Sequence, residues 1–187
     1  MPKRWQIRPH DTAAVAALEQ RAGVSSIVAS LLASRGIAEP AAVKTFLTGT
    51  LADLRDPETL PGVPEAADRI LTAARAGRKI VIYGDYDADG MTATAILTGC
   101  LEAVNAEPRW YVPNRFEEGY GLNSEALERL AADGVDLVVT VDCGIASVAE
   151  AARARELGLE LIVTDHHSFA DELPAADVLV HPRLPGT

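Results

Sequence analysis

The stretch IVIYGDYDADGMTATAIL, from Ile80 to Leu97, decides how the rest of the chain is interpreted. It begins with an apolar run typical of a buried strand, continues through the alternating carboxylates Asp85, Asp87 and Asp89, and ends in an apolar run with helical spacing. Carboxylates are rarely buried without a partner, and like charges at this spacing repel one another. The stretch therefore predicts a strand, an acidic turn and a helix, with a cation between the carboxylates.

The alternation of strand and helix continues along the chain. Four further apolar runs have the composition of strands: residues 109–112, 136–142, 159–165 and 176–182. Ser147 and Glu150 have the spacing of a capping box at the start of one intervening helix. Strands joined by helical crossovers predict an α/β fold with a mostly parallel sheet of about five strands and helices on both faces.

Residues 1–75 predict a helical N-terminal extension followed by a linker. Short amphipathic patterns with capping residues occur up to about residue 48, and TLADLRDPETLPGVPE, residues 50–65, is rich in turn formers. One more helical pattern starts at Pro64 and ends near Gly77. We therefore expect two domains, the extension over 1–75 and an α/β domain over 76–187.

Composition limits the class of protein. The chain has 187 residues and a net charge of −10, which argues against a large nucleic-acid-binding surface, although bound cations would offset that charge. The cysteines, Cys100 and Cys143, form neither a disulfide framework nor a metal-binding pattern. No apolar run is long enough for a membrane helix, and the first ten residues, MPKRWQIRPH, lack the apolar core of a signal peptide. We therefore expect a soluble, cytoplasmic protein without membrane contact.

Polar side chains follow four of the predicted strands, where ligands bind in open α/β sheets. These residues are Asp85, Asp87 and Asp89, then Asn114 and Arg115, then Asp142, and finally Asp165, His166 and His167. Aspartate and imidazole without cysteine suit Mn²⁺, with Mg²⁺ as the second choice. Several carboxylates can hold two ions about 3.5–4 Å apart, an arrangement that activates water and stabilises phosphoryl displacement.

Two other ligand-binding loops are excluded. The segment DYDADG matches the first half of an EF-hand loop, but the twelfth residue from Asp85 is Ile96, where the EF-hand requires glutamate. A strand pattern, rather than a helix, also precedes the segment. A phosphate-binding P-loop is excluded because the chain lacks Gly-Lys-Ser/Thr.

Together, the segments GDYDADG, YVPNRFEEGYGL, VTVDCG and VTDHH resemble the DHH phosphoesterase family. The second segment resembles its RecJ-type branch of single-stranded-DNA-specific exonucleases. The resemblance covers roughly residues 50–187 and implies a hydrolase with two Mn²⁺ or Mg²⁺ ions that degrades single-stranded DNA in the 5′→3′ direction. It further implies DNA repair and recombination as the setting, with replication or repair proteins as candidate partners besides single-stranded DNA.

The resemblance also carries site residues. It matches Asp87, Asp89, Asp142 and His166 to the family's metal-ligand positions, and Asp85, which lies in the same cluster, is a further expected ligand. The positions of three further residues after the predicted strands, rather than the resemblance, make them the expected catalytic residues: His167, Asp165 and Arg115. Tyr83 stands where many members of the family have histidine, and we expect Tyr83 and Tyr120 to be packing residues.

The family also uses a further aspartate downstream of the DHH motif and a second, substrate-binding domain, which this sequence does not contain. We therefore expect a catalytic domain that is truncated at its C-terminal end and inactive, or weakly active, alone. Two alternatives stay open: a DHH phosphodiesterase for short oligonucleotides or cyclic dinucleotides, and a non-catalytic binding module with this fold. The motif PNRFEEGYGL favours the exonuclease, and the sequence does not determine the oligomeric state.

Overall fold

The computed structural model describes residues 11–169 and 171–184, so the N-terminal segment in which no signal peptide is predicted lies outside the described residues. Within these ranges the helices are α1 Thr12–Ala22, α2 Ser26–Ala33, α3 Pro40–Thr48, α4 Val63–Arg75, α5 Ala88–Ala103, α6 Ser124–Ala132 and α7 Val148–Glu156. The strands are β1 Ile80–Tyr83, β2 Arg109–Tyr111, β3 Leu137–Val141, β4 Glu160–Thr164 and β5 Val178–Val180. Short 3-10 helices span Leu51–Asp53 and Pro57–Thr59. Among the described helices, none has both the length and the apolar character needed to span a membrane.

The chain divides into two compact units, Met1–Arg55 and Asp56–Thr187. In the first unit, α1, α2 and α3 enclose a small core of Val15, Leu18, Ala29, Leu32 and Val43. The sequence grouped α4 with the N-terminal extension, whereas the structure includes it in the second unit. The reason is packing, because the apolar face of α4 lies in the same hydrophobic cluster as Ile80 and Val178 of the sheet.

The second unit is built on a parallel sheet with the strand order β2-β1-β3-β4-β5. All four strand pairings are parallel, and Ile82 in β1, for example, pairs with Trp110 in β2 and Val139 in β3. The predicted α/β class with a mostly parallel sheet is confirmed. Because β1, β3 and β4 are adjacent and run in the same direction, their carboxyl ends lie side by side.

Alternate residues of each strand pack on opposite faces of the sheet. One face, covered by α6 and α7, contributes Val81, Tyr83, Val138, Leu161 and Val163 to a core cluster. The other face, covered by α4 and α5, contributes Ile80, Ile82, Val139, Val141 and Ile162. All residues of β1 and β3 are buried, which explains why these strands are almost entirely apolar, with Thr140 as the exception, rather than alternating.

One helix start and one helix cap differ from the sequence prediction. Helix α5 begins at Ala88, before the apolar run that predicts it, because the Asp87 carboxylate caps it by accepting a hydrogen bond from Gly90 N–H at 3.1 Å. Ser147 occupies the N-cap position of α7, but its side chain caps no helix N–H, so the predicted capping box is wrong. Its backbone, with φ −91° and ψ 62°, departs from the extended conformation typical of a capping residue.

The central strand residue Ile82 should contribute strongly to stability. It is fully buried, and truncating it leaves a cavity between β1 and the covering helices, so Ile82→Ala should lower the free energy of unfolding by about 2–5 kcal/mol. Ile96→Ala removes the same atoms from an exposed position of α5 and should change it by less than about 0.5 kcal/mol. Urea unfolding followed by circular dichroism measures both values, and similar losses in the two variants would contradict the described burial.

Candidate metal centre

The expected site residues meet at the carboxyl edge of the sheet. Asp85, Asp87 and Asp89 follow β1, Asp142 follows β3, and residues 165–167 follow β4. These three strands are neighbours, so the parallel geometry brings together segments that are far apart in the sequence.

Two groups of side chains at this edge have the geometry of a metal site. Ligand atoms of Asp85, Asp87 and Asp142 all lie within 4.8 Å of one another, and so do those of Asp142, His166 and His167. Asp142 belongs to both groups, so its carboxylate could serve either of them. Carboxylate and imidazole donors without a thiolate fit Mn²⁺, and the carboxylates also fit Mg²⁺.

The buried carboxylates have unsatisfied oxygens that a cation would contact. Oδ1 of Asp85 and Oδ2 of Asp142 are buried, and neither has a hydrogen-bond partner in the described part of the chain. Burial raises the pKa of both Asp85 and Asp142, and the charges of Asp87 and Asp89 raise the pKa of each carboxyl further. Buried charge without a partner is destabilising, and a divalent ion would satisfy both oxygens. The donor set therefore fits a divalent metal.

Asp142 has a left-handed backbone, with φ 66°, in the turn after β3. Aspartate is among the few non-glycine residues that adopt this conformation at modest cost. The turn holds Oδ1 of Asp142 2.8 Å from Nε2 of His166, and the Thr140 hydroxyl supports it by donating to the carbonyl of Cys143 at 2.7 Å. Backbone strain of this kind is often found at functional sites.

The glycines of GDYDADG allow α5 to approach the acidic turn closely. A Cβ on Gly90 would lie 2.7 Å from the backbone nitrogen and oxygen and from the Cβ of Asp85. A Cβ on Gly84 would lie 2.1 Å from Oγ1 of Thr94. Because neither position has room for a side chain, the first turn of α5 packs directly against Asp85 and fixes its position.

Asp87 and Asp89 lie at the solvent-exposed side of this centre. A hydrogen bond with the Asp89 carboxyl and a further one from Gly90 N–H lower the pKa of Asp87. Oδ2 of Asp89 lies 3.7 Å from Nε2 of His166, but Asp89 belongs to neither ligand group. The structure therefore places Asp89 at the rim, next to both groups.

Asp165, the first residue of the DHH motif, differs from the other buried aspartates. Its Oδ1 accepts hydrogen bonds from the backbone N–H groups of His166 at 2.6 Å and His167 at 3.0 Å and lies 2.8 Å from Nδ1 of His167, while Oδ2 accepts from Ile145 N–H at 3.0 Å. Burial by itself would raise the pKa of Asp165, but these donors outweigh it and lower the pKa. Both oxygens are engaged with the protein, so Asp165 positions the histidines.

His167 is shared between Asp165 and a tyrosine. The hydrogen bond with Asp165 raises the pKa of His167, and its Nδ1 lies 3.9 Å from Oδ1 of Asp142. The Tyr120 hydroxyl lies 3.1 Å from the same Nδ1 and donates to the carbonyl of Asp142 at 3.3 Å. Sequence reasoning treated Tyr120 as a packing residue, yet it is 51% exposed and contacts the centre. Tyr83, by contrast, is buried and donates to the carbonyl of Gly121.

Arg115 lies on an exposed turn near the acidic segment. Its guanidinium is 5.2 Å from the centre of the Tyr86 ring, and the Tyr86 ring meets that of Tyr120 edge-on at 6.4 Å. The side chain of Asn114 builds the turn, since its Oδ1 accepts a hydrogen bond from Phe116 N–H at 3.0 Å. The sequence did not identify Tyr86, and its position between the acidic residues Asp85 and Asp87 was the available signal.

Alanine substitutions at Gly90 and Gly99 should change the free energy of unfolding in opposite directions, which tests the close approach at Gly90. Gly90→Ala forces its Cβ against the backbone of Asp85 and should lower the free energy of unfolding by about 1–3 kcal/mol. Gly99→Ala, in the same helix with nothing within 4 Å of the added Cβ, should raise it by about 0.5–1 kcal/mol. Chemical unfolding of both variants in a chelator measures the difference. Stabilisation by Gly90→Ala would show that α5 does not pack against Asp85.

Comparison with known proteins agrees with this geometry. The chain is 44% identical to the single-stranded-DNA-specific exonuclease RecJ of Bacillus subtilis (strain 168) over 98% of its own length and 23% of the relative's. It is 38% identical to the enzyme of the same name from Escherichia coli (strain K12), over 98% of its length and 31% of the relative's. The chain thus spans less than a third of the length of these two relatives.

A solved structure shows the same fold. The crystal structure of RecJ in complex with Mn²⁺ from Thermus thermophilus matches 91% of this chain and 23% of its own, with a TM-score of 0.65 and 35% identity. The profile of the DHH family, N-terminal domain, matches residues 79–187, which include both ligand groups. With more than half of its residues matched by that profile, the chain belongs to the DHH family.

Proposed function

We propose that this chain forms the catalytic portion of a metal-dependent phosphodiesterase, a single-stranded-DNA exonuclease that uses Mn²⁺ or Mg²⁺. The observation that carries the proposal is the pair of ligand groups that share Asp142, with unsatisfied buried oxygens on Asp142 and Asp85. Bound divalent ions would activate a water molecule and neutralise charge on the phosphoryl group. The expected ligands are Asp85, Asp87, Asp89, Asp142 and His166.

The chain's own residues orient the reacting groups. Asp165 Oδ1 lies 2.8 Å from Nδ1 of His167 and orients the ring, so that its Nε2 can contact a phosphate oxygen or a leaving oxygen. Arg115 lies on the exposed side and supplies a guanidinium for a second phosphate. The rings of Tyr86 and Tyr120, next to Arg115 and His167, offer aromatic surface for a nucleobase.

The relatives favour DNA over the alternative substrates. Both curated relatives described above are named for single-stranded-DNA-specific exonuclease activity, and the chain matches them along 98% of its length. The 5′→3′ direction follows from the resemblance of the second motif to the RecJ-type branch. We further propose a cytoplasmic location, a part in DNA repair and recombination, and contacts with replication or repair proteins. The proposed domain division assigns the chemistry to residues 76–187.

Residues 1–187 by themselves should bind a metal but degrade DNA weakly or not at all. The chain has a net charge of −10 and 5% aromatic residues, whereas a single-strand channel needs a basic groove with stacking surfaces. The relatives are three to four times as long, since the chain spans 23% and 31% of their lengths.

Metal binding should depend on Asp85. Mn²⁺ at 100 times its dissociation constant should stabilise the chain by about 2.7 kcal/mol. Asp85→Asn removes a buried repulsive charge, so it should raise the melting temperature in a chelator and abolish most of the Mn²⁺ response. Asp68→Asn, an exposed acidic position on α4, should leave both values unchanged. An undiminished Mn²⁺ response in Asp85→Asn would exclude Asp85 as a ligand.

The activity is tested with a chimaera in which residues 1–187 replace the matching part of the Bacillus subtilis relative. With Mn²⁺ it should release labelled mononucleotide from a 5′-labelled single strand before it shortens a 3′-labelled one. Asp142→Asn should lower the rate by more than the ~100-fold that outer-shell changes reach, while Asp68→Asn should not. Preferred hydrolysis of a cyclic dinucleotide would support the alternative enzyme. Mn²⁺ binding without any hydrolysis would support a binding module.

A further inference from the structure

His181 is a fully buried polar residue that the chemistry above does not use. It follows β5 directly, and its Nε2 lies 2.8 Å from the carbonyl oxygen of His167. Its Nδ1 accepts a hydrogen bond from the backbone N–H of Arg183 at 3.0 Å. Because that N–H can only donate, Nδ1 carries no proton, and the neutral ring has its proton on Nε2. His181 therefore donates to the carbonyl of His167.

The segment 165–169, termed the DHH loop, has hydrogen bonds both to its backbone N–H groups and to one of its backbone carbonyls. The Asp165 carboxylate binds the N–H groups of His166 and His167. On the other side, His181 binds the His167 carbonyl. The peptide groups that carry both imidazoles are thus fixed by one acceptor and one donor, neither of which belongs to the candidate ligand groups.

The end of β5 makes further contacts with this loop. Asp165 N–H donates to the carbonyl of Val180 at 3.1 Å, and the Phe169 ring packs edge-on against the His181 ring at 4.8 Å. The side chain of Arg183 donates to the Ser168 hydroxyl at 3.1 Å, but this pair is exposed and contributes little. The His181 side chain is fully buried, and its hydrogen bond links the end of β5 to the loop.

We propose that His181 is a positioning residue of the metal centre, fixing the DHH loop so that His166 and His167 face Asp142. The proposal rests on the proposed function for its metal-binding consequence. Nε2 of His166 lies 2.8 Å from Oδ1 of Asp142, although the His166 side chain is 58% exposed and has little packing to hold it. The loop backbone must therefore fix the position of the His166 imidazole relative to Asp142. Outer-shell partners of metal ligands contribute about 10–100-fold in metal affinity.

Two amide variants separate the two hydrogen bonds of the ring. His181→Gln places an amide N–H near the position of Nε2 and keeps the donor to the His167 carbonyl. His181→Asn places an oxygen near the position of Nδ1 and keeps only the acceptor for Arg183 N–H. His181→Ala removes both, and Ile82→Ala is a control that weakens the same sheet without touching the loop.

The variants are compared by Mn²⁺ affinity, from the paramagnetic resonance signal of free Mn²⁺, and by amide hydrogen exchange at His166 and His167 in a chelator. We expect a 10–100-fold loss of affinity and at least about tenfold faster exchange in His181→Ala and His181→Asn, with most of both restored in His181→Gln. Ile82→Ala should keep the affinity of the unsubstituted chain.

Three results would overturn the proposal: unchanged affinity in a folded His181→Ala, equal losses in the Asn and Gln variants, or an equal loss in Ile82→Ala. Failure of the unsubstituted chain to bind Mn²⁺ would instead contradict the proposed function. The exchange pattern would in that case still decide whether His181 fixes the loop.

Discussion

Repulsion between carboxylates at the carboxyl edge of a parallel sheet is the constraint on which the rest of this structure depends. The central strands β1 and β3 are buried on both faces, so they have no place for charge along their length. Charged residues come directly after these strands, and the carboxyl ends of parallel strands lie at the same edge of the sheet. Asp85 and Asp142 thus meet because of the topology, and the fold is stable only to the extent that their repulsion is offset.

The protein offsets part of this repulsion itself and leaves part for a ligand. Asp165 is buried like Asp85 and Asp142, but backbone N–H groups and an imidazole surround its carboxylate, and its pKa falls. Asp85 and Asp142 keep unsatisfied oxygens, and their pKa values rise. Three buried carboxylates within a few residues of the strand ends therefore differ in kind. One organises the backbone, and two keep buried oxygens without a hydrogen-bond partner in the described part of the chain, which a cation would stabilise.

The sequence predicted the elements better than the contacts between them. Strands buried on both faces have mostly apolar sequences, so β1, β3 and β4 and the polar residues that follow them can each be predicted from a local pattern. The function of Asp165 as a backbone acceptor is not readable, because its partner Ile145 comes from another segment. His181 and Tyr120 were missed for the same reason, since both act on His167 from distant parts of the chain. Ser147 is the opposite case, in which a local pattern predicted a contact that is absent. The pattern predicted a capping hydrogen bond, but the Ser147 side chain caps no N–H of α7.

The acidity of the centre also bears on how the proposed substrate, a single-stranded DNA, would approach it. A phosphodiester is an anion, and the edge that would receive it contains Asp85, Asp87 and Asp142 in the two ligand groups, with Asp89 and Asp165 next to them. Without cations, the negative charge of these carboxylates also opposes a phosphate, and Arg115 on its exposed turn offers an opposing charge. Bound divalent ions would reverse the sign of this field, so metal and substrate should each strengthen the binding of the other. The dependence on metal would then begin at substrate binding, before the chemical step, as a consequence of where the parallel strands end.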